Sequence, residues 1–373
     1  MIYFDNAATT KNKPNEVLDS FVYYLKNIGV SPGRGSYSLG IEASRMLYQV
    51  RKRVGRYFGL RETTNVVFTK NATEAMNLFF NGYLRIGEHV LISCYEHNSV
   101  LRPLQTLKDN GIIDYSVIER EDLLLPAKQI LDKYCKTNTK VLAMTLASNL
   151  TGRIVFSRGL FVEAKKRGIT TFLDSSQGAG KIQISMETDK IDYLAFTGHK
   201  DLMGLPGTGG LCCKEKDKIA PLLQGGTGIL GNEYVNPKAF PEGLEAGTLN
   251  MPAIWALGSA INYASEHMEE NQLKERHLVD TLLKELNEMG SVTIYDNEFE
   301  RVSTIGINIE GHTSDDVVKY LDDNDVCVRG GIHCAILAHE ALNTVSTGVV
   351  RISLSPSNTE EEIFRFIELI KKM

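Results

Sequence analysis

Between about residue 60 and residue 215 the chain alternates short β-prone apolar runs with longer stretches of helical periodicity. The runs cover 66–69, 89–93, 115–118, 141–145, 171–174, 193–197 and 209–213. Each is bounded by polar or glycine-containing turns, as buried strands are. Segments 72–84, 100–110 and 158–167 repeat their apolar positions at helical spacing. Alternation of this kind predicts a mostly parallel seven-stranded sheet covered by helices, an α/β fold. From 257 to 289 long helical segments are expected, with a break over the polar stretch 268–272. Strands at 291–295, 304–309, 326–329 and 349–354 then interleave with helices at 314–321 and 360–372. That pattern predicts a smaller α+β domain.

A chain of 373 residues exceeds one simple core, so two domains are expected, 14–250 and 251–373. Hydrophobic content of 43% and charged content of 23% are those of an ordinary globular protein. The net charge of −5 gives no basic footprint for nucleic acid. No run reaches membrane-spanning length, and the start Met-Ile-Tyr-Phe-Asp-Asn has no basic region before a long apolar one. Six scattered cysteines form no Cys-x-x-Cys pair, which argues against a disulfide framework or a metal site. Cys94, Cys212 and Cys213 read as small buried hydrophobes, and the reducing cytoplasm is the expected compartment.

Candidate chemistry sits where the strands end. Lys200 closes Asp-Tyr-Leu-Ala-Phe-Thr-Gly-His-Lys and precedes a glycine-rich loop, 204–210. A desolvated lysine there can form a Schiff base; a surface lysine beside a loop is the plain alternative. Asp174 ends Thr-Thr-Phe-Leu-Asp, at the edge where open α/β sheets bind ligands. Paired with the ring nitrogen of pyridoxal phosphate it would keep the pyridinium protonated; a helix N-cap is the alternative. Gln177 would hold the cofactor's phenolic oxygen or be a surface amide. A helix opening at Ala72 and Thr73 offers free N–H groups to a phosphate, and Asn71 with Glu74 also fits a capping box.

These strings resemble the class V aminotransferase-like enzymes of fold type I, and among them the cysteine desulfurase and selenocysteine lyase family. The resemblance runs from Asp5-Asn6-Ala7-Ala8-Thr9-Thr10 through Glu96-His97-Asn98-Ser99, Ser148-Asn149-Leu150-Thr151-Gly152 and Gly198-His199-Lys200. It continues through Glu245-Ala246-Gly247-Thr248-Leu249-Asn250, Arg329-Gly330-Gly331-Ile332-His333-Cys334-Ala335 and Val350-Arg351-Ile352-Ser353. It implies that residues 1–13 join the small domain. It implies that His97 stacks on the pyridoxal phosphate ring and handles protons, and that Thr197 and His199 join Ala72 and Thr73 on the phosphate. Thr248 would reach the phosphate of a partner subunit, making a homodimer with shared sites. Asn149 would bond the phenolic oxygen or a substrate carboxylate, or be a turn asparagine.

Arg351, in an apolar stretch, is the natural grip for an amino-acid carboxylate, with a structural ion pair as the alternative. Cys334 lies seventeen residues before it. That short spacing resembles group II, SUF-type members, whose cysteine sits on a compact loop. An inert buried thiol is the alternative. Ile332 and Ile336 flank the loop where many members have a second histidine and a proline, and Ser175-Ser176 stand where Ala-Ala is frequent. The reading implied is conversion of L-cysteine to L-alanine, with a persulfide on Cys334 for a protein or small-molecule acceptor. Lys200, Cys334 and His97 would be catalytic. Selenocysteine lyase acting on L-selenocysteine, another class V transaminase or lyase, and a non-catalytic dimeric scaffold are the alternatives. No metal is expected.

Overall fold

The computed structural model describes residues 1–33, 37–216 and 218–373. The chain opens with a two-residue strand, β1 (Ile2–Tyr3), and two helices, α1 (Asn15–Tyr23) and α2 (Ser38–Tyr57). Seven strands follow: β2 (Val66–Thr69), β3 (Glu88–Ser93), β4 (Ile113–Ile118), β5 (Thr139–Thr145), β6 (Thr170–Asp174), β7 (Tyr193–Thr197) and β8 (Gly209–Cys213). Between them lie α3 (Ala72–Tyr83), α4 (Asn98–Asp109), α5 (Ala127–Tyr134) and α6 (Arg158–Lys166). The strands form one sheet in the order β2-β8-β7-β6-β5-β3-β4. All pairings are parallel except those that β8 makes with β7 and β2. The predicted seven-stranded, mostly parallel sheet is therefore present. Strands β7 and β8 are buried at every residue and β6 at all but Thr170, because helices cover both faces and leave no polar side.

Separate apolar cores fill the two faces. Leu91, Leu142, Leu173, Leu194 and Phe196 belong to one, and Phe79, Phe80, Val90, Val141 and Phe172 to the other. Since β8 runs antiparallel to both neighbours, β2 runs the same way as β7. The carboxyl ends of β2, β3, β5, β6 and β7 thus share one edge.

The expected break at 268–272 is absent: α7 (Met251–Asn287) is one helix of 37 residues. Its first half packs Ile254, Leu257 and Ile261 onto the sheet core. Its second half packs Leu278, Leu282 and Leu286 into a third core with Ile305, Ile307, Ile352 and Phe366. The polar stretch marks the crossing between cores, where no apolar face is needed. No proline or glycine interrupts the backbone hydrogen bonds there.

The third core is completed by β9 (Val292–Ile294), β10 (Thr304–Ile309), α8 (Ser314–Asp322), β11 (Val326–Cys327), β12 (Val350–Ser353) and α10 (Glu360–Ile370), whereas the short helix α9 (Ile336–Ala341) places Ala338 in the first sheet core. An antiparallel sheet runs β12-β10-β9, and β1 pairs in parallel with β11. The N-terminal segment then crosses to the large sheet. Ala7 N donates to Ser353 Oγ at 2.9 Å, and Thr10 Oγ1 donates to the Lys200 carbonyl at 2.9 Å. Among the described residues no helix is long and apolar enough to cross a membrane.

Candidate active site

Five strand ends deliver the side chains of one cleft. It is lined by Ala72, Thr73, His97, Ser99, Thr145, Asn149, Asp174, Ser176, Gln177, Thr197, His199 and Lys200. Nine residues singled out from the sequence, from Ala72 to Lys200, are thus brought together.

After β2, Asn71 caps α3 by accepting from Glu74 N at 2.9 Å. Glu74 returns its carboxylate to Lys70 N at 2.6 Å, one residue short of a reciprocal box. The first N–H groups of α3 face the cleft and carry the positive end of the helix dipole. Gly209 lets β8 approach this turn: a Cβ there would lie 2.7 Å from the Asn71 carbonyl carbon.

After β3, His97 caps α4. Its Nδ1 accepts from Ser99 N at 3.0 Å and lies 2.7 Å from Ser99 Oγ. A nitrogen that accepts an N–H carries no proton, so the neutral ring is protonated at Nε2. Burial, helped by Lys200, pushes His97 down to about 4, which keeps the ring neutral. Glu96, to which the sequence reading gave no role, is fully buried and ties two strand ends together. Its Oε1 accepts from Ser93 Oγ at 2.6 Å and from Thr145 N at 2.9 Å. Burial pushes its carboxyl up to about 8.

After β6, Asp174 is buried and accepts from Ser176 N at 2.9 Å. Turns rather than a helix follow it, so it is not an N-cap. Burial raises its pKa, which a cationic partner would offset. Gln177 donates to the Ala7 carbonyl at 2.9 Å. After β7, the His199-Lys200 turn needs glycine at 198, where a Cβ would lie 2.2 Å from Thr208 Oγ1. Burial lowers the pKa of Lys200, Asp174 opposes this, and Arg351 adds to it.

Buried polar atoms without partners test which group fits here. Thr197 Oγ1, His199 Nδ1 and Ser176 Oγ are buried and unpaired, and all three residues line the cleft beside the start of α3. A phosphate would accept from these hydroxyls and from the helix N–H groups. Asp174 and Lys200 complete a set matching a phosphorylated pyridine aldehyde.

Cys334, Arg351 and Thr248 do not line this cleft, but the first two are fastened to it. Cys334 is an exposed thiol, whereas Cys94, Cys212 and Cys213 are buried as expected. Its carbonyl accepts from Asn98 N at 2.7 Å, and the His333 carbonyl accepts from Asn149 Nδ2 at 2.7 Å. His333 Nε2 lies 2.8 Å from the Val349 carbonyl and donates to it. Both His333 and Cys334 adopt left-handed backbone conformations, φ 53° and 55°. Each costs about 1–2 kcal/mol without glycine, so contacts on both sides hold the loop.

Arg351 is buried on β12 and donates to the Asn149 carbonyl at 3.0 Å and to Asp5 Oδ1 at 2.5 Å. Arg329, also without an assigned role in the sequence reading, bridges to Arg351 through backbone hydrogen bonds. Its guanidinium is exposed, forms no ion pair among the described residues, and helps lower the pKa of His97 and Lys200. Thr248 is exposed on a separate groove with Leu222, Leu223 and Phe68.

The aminotransferase class-V family model matches residues 2–366. A probable cysteine desulfurase of Methanothermobacter thermautotrophicus is 30% identical over 371 residues, 97% of this chain and 92% of that protein. The apo structure of a cysteine desulfurase from Thermococcus onnurineus NA1 matches with a TM-score of 0.90 at 30% identity, covering 100% of this chain and 95% of that one. The Escherichia coli cysteine desulfurase CsdA in its S-sulfonic acid form shares the fold, with a TM-score of 0.87 at 22% identity over 99% of this chain and 94% of that one. With the family match spanning nearly every residue and the cleft built at the strand ends, the chain belongs to the class V aminotransferase family.

Proposed function

We propose that this protein is a pyridoxal phosphate-dependent cysteine desulfurase, converting L-cysteine to L-alanine and passing sulfur through a persulfide on Cys334. The observation that carries this reading is an exposed thiol on a loop hydrogen-bonded to Asn98 and Asn149, beside a cleft holding a buried lysine and a buried aspartate.

The cofactor would be held by Ala72, Thr73, Thr197 and His199 at its phosphate, by Asp174 at its ring nitrogen, by Lys200 at its aldehyde carbon and by the face of His97. Asn149 and Gln177 lie at the same cleft for its phenolic oxygen. When bound, pyridoxal phosphate supplies a sink for the electron pairs released at the substrate's carbon atoms. Arg351 orients the substrate's α-carboxylate. Lys200 Nζ, its basicity reduced by burial, takes the α-proton. The Cys334 thiolate then attacks the substrate sulfur: the new S–S bond forms, the C–S bond breaks, and its electron pair stays with carbon. Protonation of that carbon, and return of the proton from Lys200 Nζ to the α-carbon, complete alanine. His97 donates from Nε2 and is not a base, because its Nδ1 is occupied. The persulfide passes to an acceptor thiol, which requires a reducing compartment, the cytoplasm.

A homodimer follows from the same reading. Thr248 is exposed in its own protomer, on a groove it shares with exposed Leu222 and Leu223. A second subunit would cover that surface and receive Thr248 at its phosphate.

The test is incubation of the purified holoenzyme with L-cysteine and with L-selenocysteine, measuring alanine and the released chalcogenide. Alanine from L-cysteine supports the reading. Alanine from L-selenocysteine alone would replace it with a selenocysteine lyase.

A further inference from the structure

The guanidinium of Arg351 already holds a carboxylate. Its side chain is 3% exposed, and one terminal nitrogen donates to Asp5 Oδ1 at 2.5 Å. The other donates to the Asn149 carbonyl at 3.0 Å, which fixes the plane of the group against the cleft wall. Nε is buried and has no partner. A guanidinium offers five N–H donors in a rigid fork that suits a carboxylate binding through both oxygens. Asp5 contacts it through one oxygen only, so a donor stays unsatisfied at a typical cost of about 1–3 kcal/mol.

The two partners differ in freedom. Asp5's side chain is 20% exposed, against 3% for Arg351. The backbone of Asp5 is tied down: its carbonyl accepts from Tyr3 Oη at 3.2 Å and Ala8 N at 3.1 Å, and it bridges to Ser353. Its carboxylate can therefore swing away from Arg351 by side-chain rotation alone. Two carboxylates cannot share the fork without repulsion.

We propose that Asp5 is an internal competitor at the carboxylate grip: its carboxylate occupies Arg351 until the α-carboxylate of an amino-acid substrate displaces it. This rests on the reading of Arg351 as the carboxylate grip. A ligand without a carboxylate, such as an amide or amine, leaves the Asp5 pair in place and gains nothing from Arg351. A carboxylate gains the second contact that Asp5 leaves unmade. Asn149 joins this exchange to the sulfur-carrying loop, since its carbonyl holds Arg351 and its amide holds the His333 carbonyl.

The test titrates holoenzyme with L-alanine and with L-alaninamide, reading dissociation constants from the cofactor's visible absorbance. Asp5→Asn should bind L-alanine about tenfold more tightly, within the usual span of site coupling, and leave L-alaninamide unchanged. Equal or weaker binding of L-alanine by Asp5→Asn overturns the proposal. Arg351→Gln should weaken L-alanine and spare L-alaninamide; if it spares both, the carboxylate grip itself is misassigned and the proposal falls with it. A crystal structure of wild-type holoenzyme with L-alanine decides the matter without substitutions. Asp5 turned away from Arg351 supports displacement, and Asp5 still in contact overturns it.

Discussion

His97 shows how a single capping contact restricts chemistry. Accepting an N–H at Nδ1 fixes the proton on Nε2, and burial keeps the ring neutral. NMR of the imidazole should therefore show the Nε2–H tautomer at neutral pH and titration near pH 4. Titration near the ordinary value of 6.5 would contradict the assignment. Asp174 and Lys200 were legible from their local position at a strand's end, whereas His97 and Thr197 were singled out through the family resemblance. Glu96 and Arg329 were not legible as site residues. Glu96 works by joining β3 to β5 through Ser93 and Thr145, and Arg329 by its place beside Arg351. Asp5 and Arg351 lie 346 positions apart, so no local pattern could reveal their pairing.

Among the elements, the strained turn His333–Cys334 depends on groups from other parts of the chain. Asn149, after β5, supplies the amide that holds the His333 carbonyl. Asn149→Ala would leave that carbonyl without its donor, at a cost of about 1–3 kcal/mol, and the loop would lose its register with the cleft. Alanine formation should fall at least tenfold, while iodoacetamide should label Cys334 faster; unchanged values for both would show that the loop is held elsewhere. The seven strands were legible because each buried run ends at a turn signal. Helix α7 was misread because its apolar face shifts between two cores, and a polar gap within one helix resembles a loop in sequence.

For the molecule as a whole, buried titratable groups bracket its stability. His97 and His199 are lowered from 6.5 to about 4 and His333 to about 3, all chiefly by burial. The unfolded chain protonates them first, so their contribution is complete above pH 6.5 and is lost as pH falls toward 4. Glu96 runs the other way. Raised from 4.5 to about 8, it contributes fully below pH 4.5 and loses that contribution as pH rises through 8. Chemical denaturation of Glu96→Gln should show a smaller loss of stability between pH 5 and pH 9 than wild type. An identical pH profile would mean that Glu96 is charged in the folded protein.

The dimer makes a second prediction at this scale. Lys200→Ala and a Thr248 variant deficient in cofactor binding should each be inactive alone. Mixed dimers should recover activity if Thr248 serves the partner's site. Full activity of a sedimenting monomer would remove that requirement.

The central claim is that sulfur leaves cysteine for Cys334. Mass spectrometry of the protein after brief exposure to L-cysteine, without reductant, tests it most directly. The account predicts one added sulfur atom on the peptide bearing Cys334, with alanine formed alongside and none formed by Cys334→Ala. Undiminished alanine from Cys334→Ala, with no sulfur added to the wild-type peptide, would contradict it.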